Sequence, residues 1–191
     1  MPNYCRNKFT IIASSKKELD EVVDFIKGDN GDFDFNKIIP MPEDLDIESV
    51  ECNVSEELQA KYQSNIEKYG YKDWYDWRCD KWGCKWNAEI INVLVSEGDL
   101  GIMIDFYTPW VPPIPIYEAL SKKFPNLKMW YVYAECGMCI YGSGRKNAGE
   151  DFYHTTFEDG SEQAWSLLDF LGYNVTKDTN GNWCWNNEEE E

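Results

Sequence analysis

The feature that most constrains the fold of this chain is a pair of strongly apolar segments separated by only three residues. Residues 89–96 (EIINVLVS) and 100–107 (LGIMIDFY) are rich in β-branched and aromatic side chains, which favour strands. The residues Glu97-Gly98-Asp99 between them predict the turn of a β-hairpin. The fold must therefore contain an antiparallel strand pair near the middle of the chain.

The segments on either side of this hairpin predict the rest of the core. Residues 8–13 (KFTIIA) predict a strand, and Ser15 with Glu18 three positions later has the spacing of a capping box that begins a helix. Residues 116–124 then follow a helical pattern, and residues 127–134 (LKMWYVYA) predict another strand. The order β-α-β-β-α-β predicts an α+β, ferredoxin-like fold, in which an antiparallel sheet carries its helices on one face.

Two regions lie outside that minimal order. We expect a long insertion after the first helix, at about residues 43–87, within a ferredoxin-like domain that spans residues 1–145. Residues 146–187 are expected to form a C-terminal extension packed on the same domain, and residues 188–191 a disordered acidic tail. The finer elements expected are a helix capped by Ser55, a short strand at 139–141, a strand at 151–157, a helix at 163–171 and a strand at 182–185.

The charge of the chain restricts its partners. Lys and Arg total 18 and Asp and Glu total 35, which gives a net charge of −17. A field of this sign repels nucleic acid and anionic membranes and favours basic partners, although solubility alone would also explain it. Only three of the cations are arginines, Arg6, Arg78 and Arg145, so a phosphate-binding arginine cluster is not expected.

Carboxylates are concentrated in the predicted insertion. Residues 43–57 contain seven carboxylates and no cation, and three aspartates follow at helical spacing in residues 73–80. Loops inserted on a rigid scaffold often carry function, so we expect these residues to contact the partner. The predicted contacts are Glu43, Asp44, Asp46, Glu48, Glu51, Glu56, Glu57, Asp73, Asp76 and Asp80.

Two tryptophan-rich motifs flank the hairpin, Trp82-Gly83-Cys84-Lys85-Trp86-Asn87 before it and Thr108-Pro109-Trp110-Val111-Pro112-Pro113 after it. We expect Trp86 and Trp110 to be buried together at one end of the sheet, with Asn87 satisfying loop backbone groups. The prolines would stiffen the connection to the second helix. The alternative is a small-ligand pocket or an active site lined by Trp82, Trp86 and Trp110. The residues to which we assign a structural role are Trp82, Gly83, Trp86, Asn87, Pro109, Trp110, Pro112 and Pro113.

Residues that could carry other chemistry form poor patterns. Cys136 and Cys139 form a CxxC motif that could join Cys79 and Cys84 in a zinc site, but the spacing is poor and the total of seven cysteines is odd. His154 has no nucleophile signature near it. Base stacking on Trp130, Tyr131 and Tyr133 would suit an RNA-binding sheet, but the negative charge disfavours it. We therefore expect no catalytic residue, metal, cofactor or direct nucleic-acid contact.

The N-terminus and the hydropathy pattern bear on location. No apolar run approaches the roughly 20 residues of a membrane span. The first residues also lack the apolar stretch of a signal peptide. The expected location is the cytoplasm, without membrane contact.

The two motifs, together with the segments Pro2-Asn3-Tyr4-Cys5-Arg6-Asn7 and Phe35-Asn36-Lys37-Ile38-Ile39-Pro40-Met41-Pro42, resemble the YubB-like ferredoxin-like proteins of phages and conjugative plasmids, an Api-like group of unknown function. The resemblance covers roughly residues 1–145. That family usually has Trp in place of Tyr4 and a Thr-like residue in place of Cys84. The resemblance implies a ferredoxin-like fold and an origin in a mobile genetic element, but it implies no catalytic residues.

These observations leave three functional hypotheses. The first is a non-enzymatic acidic protein that binds a basic host protein, such as a nucleic-acid-binding defence complex that it inhibits by mimicking nucleic acid. The second is a ligand-binding domain or enzyme at the tryptophan corner. The third is an accessory protein of the mobile element with no inhibitory role. The sequence leaves the oligomeric state open.

Overall fold

The computed structural model describes residues 3–29, 31–95 and 100–186. Its strands are β1 (Tyr4–Ile12), β2 (Glu89–Val95), β3 (Gly101–Pro109), β4 (Lys128–Glu135), β5 (Ile140–Lys146), β6 (Tyr153–Phe157), β7 (Val175–Lys177) and β8 (Trp183–Trp185). Its helices are α1 (Lys16–Ile26), α2 (Phe35–Ile38), α3 (Glu56–Tyr69), α4 (Trp74–Lys81), α5 (Ile114–Lys123) and α6 (Glu162–Leu171), with a 3-10 turn at Glu43–Leu45.

Six strands form one antiparallel sheet in the order β2-β3-β1-β4-β5-β6. Its first four strands have the order of a ferredoxin-like fold, so the predicted fold class is confirmed. Strands β2 and β3 pair as the expected hairpin, but its turn, Glu97-Gly98-Asp99, lies outside the described residues. Strands β7 and β8 form a separate two-stranded sheet.

The main core lies between the sheet and helices α1 and α5. Alternate residues of β1 are buried, as the two-residue period of a strand requires. Phe9 lies at the centre of this face and contacts Tyr117 of α5 with ring centroids 4.6 Å apart. Phe25 of α1 and Phe124 pack edge to face across the two helices. The helices therefore cover one face of the sheet, as predicted.

The C-terminal segment covers part of the opposite face. The buried side chains of α6 form a second apolar cluster with Ala134 and Tyr141 of the sheet. Phe170 contacts the Trp130 ring with centroids 5.9 Å apart, and its carbonyl accepts a hydrogen bond from Lys8 Nζ at 2.8 Å. Helix α6 therefore packs on the same sheet as α1 and α5, but on its opposite face. The predicted disordered tail, 188–191, lies outside the described residues.

Helices that have a capping residue in the sequence begin where that residue predicts. Ser15 caps α1 by accepting a hydrogen bond from Glu18 N, whereas the Glu18 carboxylate bonds to the backbone and hydroxyl of Ser14 rather than to Ser15. Ser55 caps α3 as predicted. Helices α2 and α4, the 3-10 turn at Glu43–Leu45 and strand β7 were not predicted, and residues 35–38 form α2 where an extended segment was expected. In α4 a buried Trp77 is surrounded by other aromatic residues, which hides the helical periodicity.

Candidate functional site

The two sequence motifs meet at the corner where the insertion joins the sheet. Trp82 is buried there, and its indole Nε1 donates a hydrogen bond to the Ile39 carbonyl at 2.9 Å. Its ring packs edge to face on Phe35 and Trp77. Trp82 is therefore a core residue that holds the segment after α2 against the end of α4.

Asn87 connects the same corner to the loop before α2. Its Oδ1 accepts hydrogen bonds from the backbone N–H groups of Phe35 and Ala88 at 2.9 and 3.0 Å. Its Nδ2 donates to the buried carboxylate of Asp34 at 2.7 Å, and that carboxylate also caps α2. The predicted role of Asn87 in satisfying loop backbone groups is confirmed.

Gly83 brings the two motifs into contact. It has a φ of +82°, and a Cβ at this position would lie 2.9 Å from Cδ of Pro115 in the first turn of α5 and 3.4 Å from the carbonyl oxygen of Pro112 in the second motif. Glycine is the residue that permits both this backbone conformation and this close approach. Pro112 and the first turn of α5 therefore pack directly on the residue after Trp82.

A buried polar network fixes the second motif. Asn7 Nδ2 donates to Thr108 Oγ1 at 2.9 Å, and Thr108 Oγ1 donates to the Val111 carbonyl at 2.8 Å. The Tyr117 hydroxyl donates to Asn7 Oδ1 at 3.3 Å. The asparagine of the N-terminal motif and the threonine of the second motif are thus hydrogen-bonded inside the core.

The expectation that Trp86 and Trp110 are buried is wrong. They are 40% and 39% exposed. Trp110 has a φ of +70°, so the chain leaves the extended conformation of β3 there. Thr108 and Pro109 are buried instead. Lys85 Nζ lies over the Trp86 ring, 4.2 Å from its centroid. Neither tryptophan is among the residues that line the pocket beside Trp82.

A polar pocket of about 330 Å³ does open beside Trp82, on the side of the insertion. It is lined by Asn36, Met41, Glu43, Asp46, Arg78, Trp82 and Asn87. The pocket therefore brings together residues of two signature motifs, α4 and the first carboxylates of the insertion. Sequence reasoning missed this pocket.

Arg78 is the unusual residue of this pocket. Its guanidinium carbon lies 5.1 Å from the Trp74 ring centroid and 4.8 Å from that of Trp82. Burial lowers the pKa of Arg78, while the charge of Asp46 raises it. Its Nε is buried, and no group among the described residues accepts a hydrogen bond from it. The spacing of Trp74, Arg78 and Trp82, four residues apart in each step, is the sequence signal that would have found this stack.

Residues 43–57, which we call the acidic loop, present their carboxylates to solvent. All seven acidic residues of the loop are exposed. The loop backbone is held by two buried side chains of α3. The Tyr62 hydroxyl donates to the Glu48 carbonyl at 2.6 Å and accepts from Val50 N at 3.0 Å, and Asn65 Nδ2 donates to the Asp44 carbonyl at 2.9 Å. An ordered backbone therefore carries these charges.

Only part of the loop's charge is neutralised within the chain. Lys68 Nζ lies 2.7 Å from Asp44 Oδ2 and lowers the pKa of that carboxyl group, and Lys61 pairs with Glu57 at 2.8 Å. No ion pair among the described residues involves the remaining loop carboxylates, which are Glu43, Asp46, Glu48, Glu51 and Glu56.

The predicted acidic stripe of three aspartates is only partly formed. Asp73 is fully buried and caps α4 by accepting a hydrogen bond from Tyr75 N at 2.9 Å. It therefore cannot contact a partner as predicted, because its position before the helix turns the carboxylate inward to the backbone. Asp76 and Asp80 are exposed, and Asp80 accepts from the Tyr71 hydroxyl.

The aromatic residues of β4 do not form a base-stacking platform. Tyr131 and Tyr133 are buried on the face that α1 and α5 cover, whereas Trp130, directly before Tyr131, lies on the opposite face and is 38% exposed. The alternation of side chains along a strand requires this separation. An apolar groove of about 370 Å³ lies beside Trp130, between Thr10, Leu94 and Met103.

The cysteines and the histidine have ordinary structural surroundings. Cys136 and Cys139 lie at the β4–β5 turn, which Glu135 holds by accepting hydrogen bonds from Gly137 N and Met138 N. All seven cysteines are unpaired. Within the described parts of the chain, no three His, Cys, Asp or Glu side chains are grouped to hold a metal ion. His154 Nε2 is 2.9 Å from the Tyr133 hydroxyl.

Helix length and hydropathy also bear on the class of protein. Across residues 3–29, 31–95 and 100–186, no helix combines the length and apolar character needed to cross a bilayer.

Comparison with known proteins shows similarity to one group of proteins. Residues 81–175 match the family described as the ferredoxin-like domain in Api92-like protein. The uncharacterized protein YubB of Escherichia coli (strain K12) is 33% identical over 78 residues, which are 40% of this chain and 52% of YubB. This chain thus matches about half the length of that curated relative.

A solved structure extends the similarity over most of the chain. The crystal structure of protein api92 from Yersinia pseudotuberculosis has a TM-score of 0.51 and 10% sequence identity, and the match covers 84% of this chain and 100% of api92. At that identity the likeness concerns the fold alone. Residues 81–175 therefore resemble the ferredoxin-like domain of Api92-like proteins, and the resemblance to YubB-like proteins that the signature motifs predict is confirmed.

Proposed function

We propose that this protein is a non-enzymatic, cytoplasmic binding protein that docks a basic host protein through its acidic loop. The observation that carries the proposal is the anchoring of that loop. Its backbone is tied to α3 through Tyr62 and Asn65, and its seven carboxylates all face solvent. Charges held on an ordered backbone lose little conformational freedom when a partner binds.

The surroundings of the nucleophilic side chains favour binding over catalysis. Burial raises the pKa of Cys84 to about 12 and that of Cys5 well above its ordinary value, so neither thiol is ionised at neutral pH. Burial lowers the pKa of His154, whose ring is engaged by Tyr133. A binding role requires none of these groups to react.

The charge pattern favours a partner that ordinarily binds nucleic acid. Carboxylates on the acidic loop would occupy the positions of phosphates in a positively charged channel. A defence complex with such a channel fits this chemistry and the mobile-element origin implied by the resemblance. The protein would then act as an inhibitor by nucleic-acid mimicry.

A matched pair of charge-reversal variants tests this proposal. Glu48→Lys with Glu51→Lys changes two unpaired loop carboxylates, while Asp24→Lys with Glu158→Lys makes the same change in net charge at exposed positions outside the insertion. Tagged wild-type protein and both variants are incubated with bacterial lysate at low salt, and retained proteins are quantified. The partner found with the wild type is then purified and its affinity measured directly.

We expect the loop variant, and not the control variant, to lose affinity for the partner. Exposed ion pairs contribute about 0.2–1 kcal/mol each, and reversal adds repulsion, so the loop variant should bind roughly ten-fold more weakly while the control changes little. Equal weakening in both variants would mean that only net charge matters. Retention of no host protein by the wild type would replace this proposal with an accessory role.

A further inference from the structure

The pocket beside Trp82 contains a charged group, the Arg78 guanidinium, with which no described residue forms a hydrogen bond or an ion pair. The Arg78 guanidinium is stacked between two indole rings, 5.1 and 4.8 Å from their centroids, and its Nε is buried. Among the described residues its side chain forms no hydrogen bond and no ion pair. A half-buried cation of this kind costs stability unless an acceptor reaches it.

The guanidinium is well placed for a carboxylate. Its Nη1 and Nη2 groups, which unlike Nε are not buried, form a planar pair of donors that matches the two oxygens of a carboxylate group, and the flanking rings restrict its rotation. Met41 and the Trp82 ring supply an apolar contact in the same pocket, and Asn36 contributes an amide. A ligand that enters this pocket would thus meet one cation and a small apolar surface.

The other charges of the pocket have the opposite sign. Glu43 and Asp46 line it, are exposed at its edge, and form no ion pair among the described residues. Two carboxylates repel a simple anion, but they attract an ammonium group. The pocket therefore suits a molecule that carries both a carboxylate and an ammonium group.

We propose that this pocket binds a free α-amino acid, whose carboxylate pairs with Arg78 and whose ammonium group pairs with Glu43 and Asp46. The volume of about 330 Å³ lies at the small end of the range for ligand pockets and accommodates such a molecule. This site does not depend on the proposed docking of a host protein, although its two carboxylates belong to the acidic loop.

Calorimetric titration of the full chain tests the proposal with defined probes. These are L-leucine, L-glutamate and L-lysine, together with propionate and methylammonium as ligands that carry only one of the two charges. At least one amino acid should bind saturably and about ten-fold or more tightly than either single-charge probe. No saturable binding of any amino acid up to about 10 mM would overturn the proposal.

Variants distinguish a ligand site from a structural arginine. Arg78→Met retains a side chain that packs between the indoles but removes the charge, so amino-acid binding should be lost while the melting temperature stays equal or rises. Glu43→Gln should weaken amino-acid binding by several-fold and leave propionate binding unchanged or stronger. Undiminished amino-acid binding by Arg78→Met, or a large drop in its melting temperature, would assign Arg78 a structural role instead.

A control separates this proposal from the docking function. The variant with Glu48→Lys and Glu51→Lys changes neither Arg78 nor the pocket lining. It should bind amino acids like the wild type even where it fails to retain a host protein. Loss of both activities in this variant would contradict the independence of the two sites.

Discussion

Replacing Asn87 with alanine should be among the most destabilising single changes at the signature corner. The substitution removes two hydrogen bonds from backbone N–H groups, those of Phe35 and Ala88, and one donated to the buried Asp34 carboxylate. Neutral hydrogen bonds contribute about 1 kcal/mol each and those to charged groups about 1.5–3 kcal/mol. The free energy of unfolding should therefore fall by about 3–5 kcal/mol.

Urea denaturation followed by tryptophan fluorescence measures this loss, provided that the slope with denaturant is unchanged. Asn87→Asp is the matched control, because it keeps the acceptor for both N–H groups but sets a second carboxylate against Asp34. The like charge raises the folded-state pKa of the introduced carboxyl above its unfolded value of about 3.9. Its destabilisation should therefore be full at about pH 7 and diminish as the pH falls towards 4.

Two results would contradict this role of the Asn87 hydrogen bonds. A loss below about 1 kcal/mol for Asn87→Ala would mean that water replaces the three hydrogen bonds without cost. If Asn87→Asp is destabilised relative to the wild type by the same amount at about pH 7 and about pH 4, the contact with Asp34 is unimportant.

Three further predictions concern other parts of the structure. Trp82→Ala should lower the free energy of unfolding by about 3–5 kcal/mol, whereas Trp86→Ala should lower it by about 1 kcal/mol or less, since only Trp82 is buried; similar losses in denaturant melts would contradict this difference. Trp110→Gly should be more stable than Trp110→Ala by about 1 kcal/mol, because residue 110 has a positive φ. If Trp110→Ala is the more stable variant in the same melts, the result would argue against that backbone conformation. The Ser14 hydrogen bonds lower the pKa of Glu18, so the wild type should be more stable than Glu18→Gln above the unfolded pKa of about 4.3. This difference should disappear as the pH falls through the folded pKa of Glu18, and a difference in melting temperature that is independent of pH would refute the prediction.

The sequence predicts those elements whose physical signal is local. The two apolar strands of the hairpin and the helix capped by Ser15 follow directly from residue type and spacing, and the sheet order then follows from the β-α-β-β-α-β sequence of elements. Helix α4 was missed because Tyr75 and Trp77 place aromatic rings on both its exposed and its buried sides. Composition alone does not separate the two sides of such a helix.

Burial at the signature corner depends on contacts that no local pattern encodes. Trp82 is buried through Ile39, which lies 43 positions earlier, whereas Trp110 is exposed because of its backbone conformation. Spacing placed Asp73 on an acidic stripe, although its position directly before a helix also fits a capping residue. The Arg78 pocket required the insertion to fold back on the motif after α4, which the sequence does not specify.

The association rate of this protein with its purified basic partner, measured over a range of salt concentrations, tests the docking proposal most directly. Exposed charges are screened beyond about 8 Å at physiological ionic strength, so the wild-type rate should fall steeply as salt rises. The variant with Glu48→Lys and Glu51→Lys should associate more slowly at low salt and depend less on salt, while the variant with Asp24→Lys and Glu158→Lys should follow the wild type. Identical salt dependence in all three proteins would contradict docking through the acidic loop.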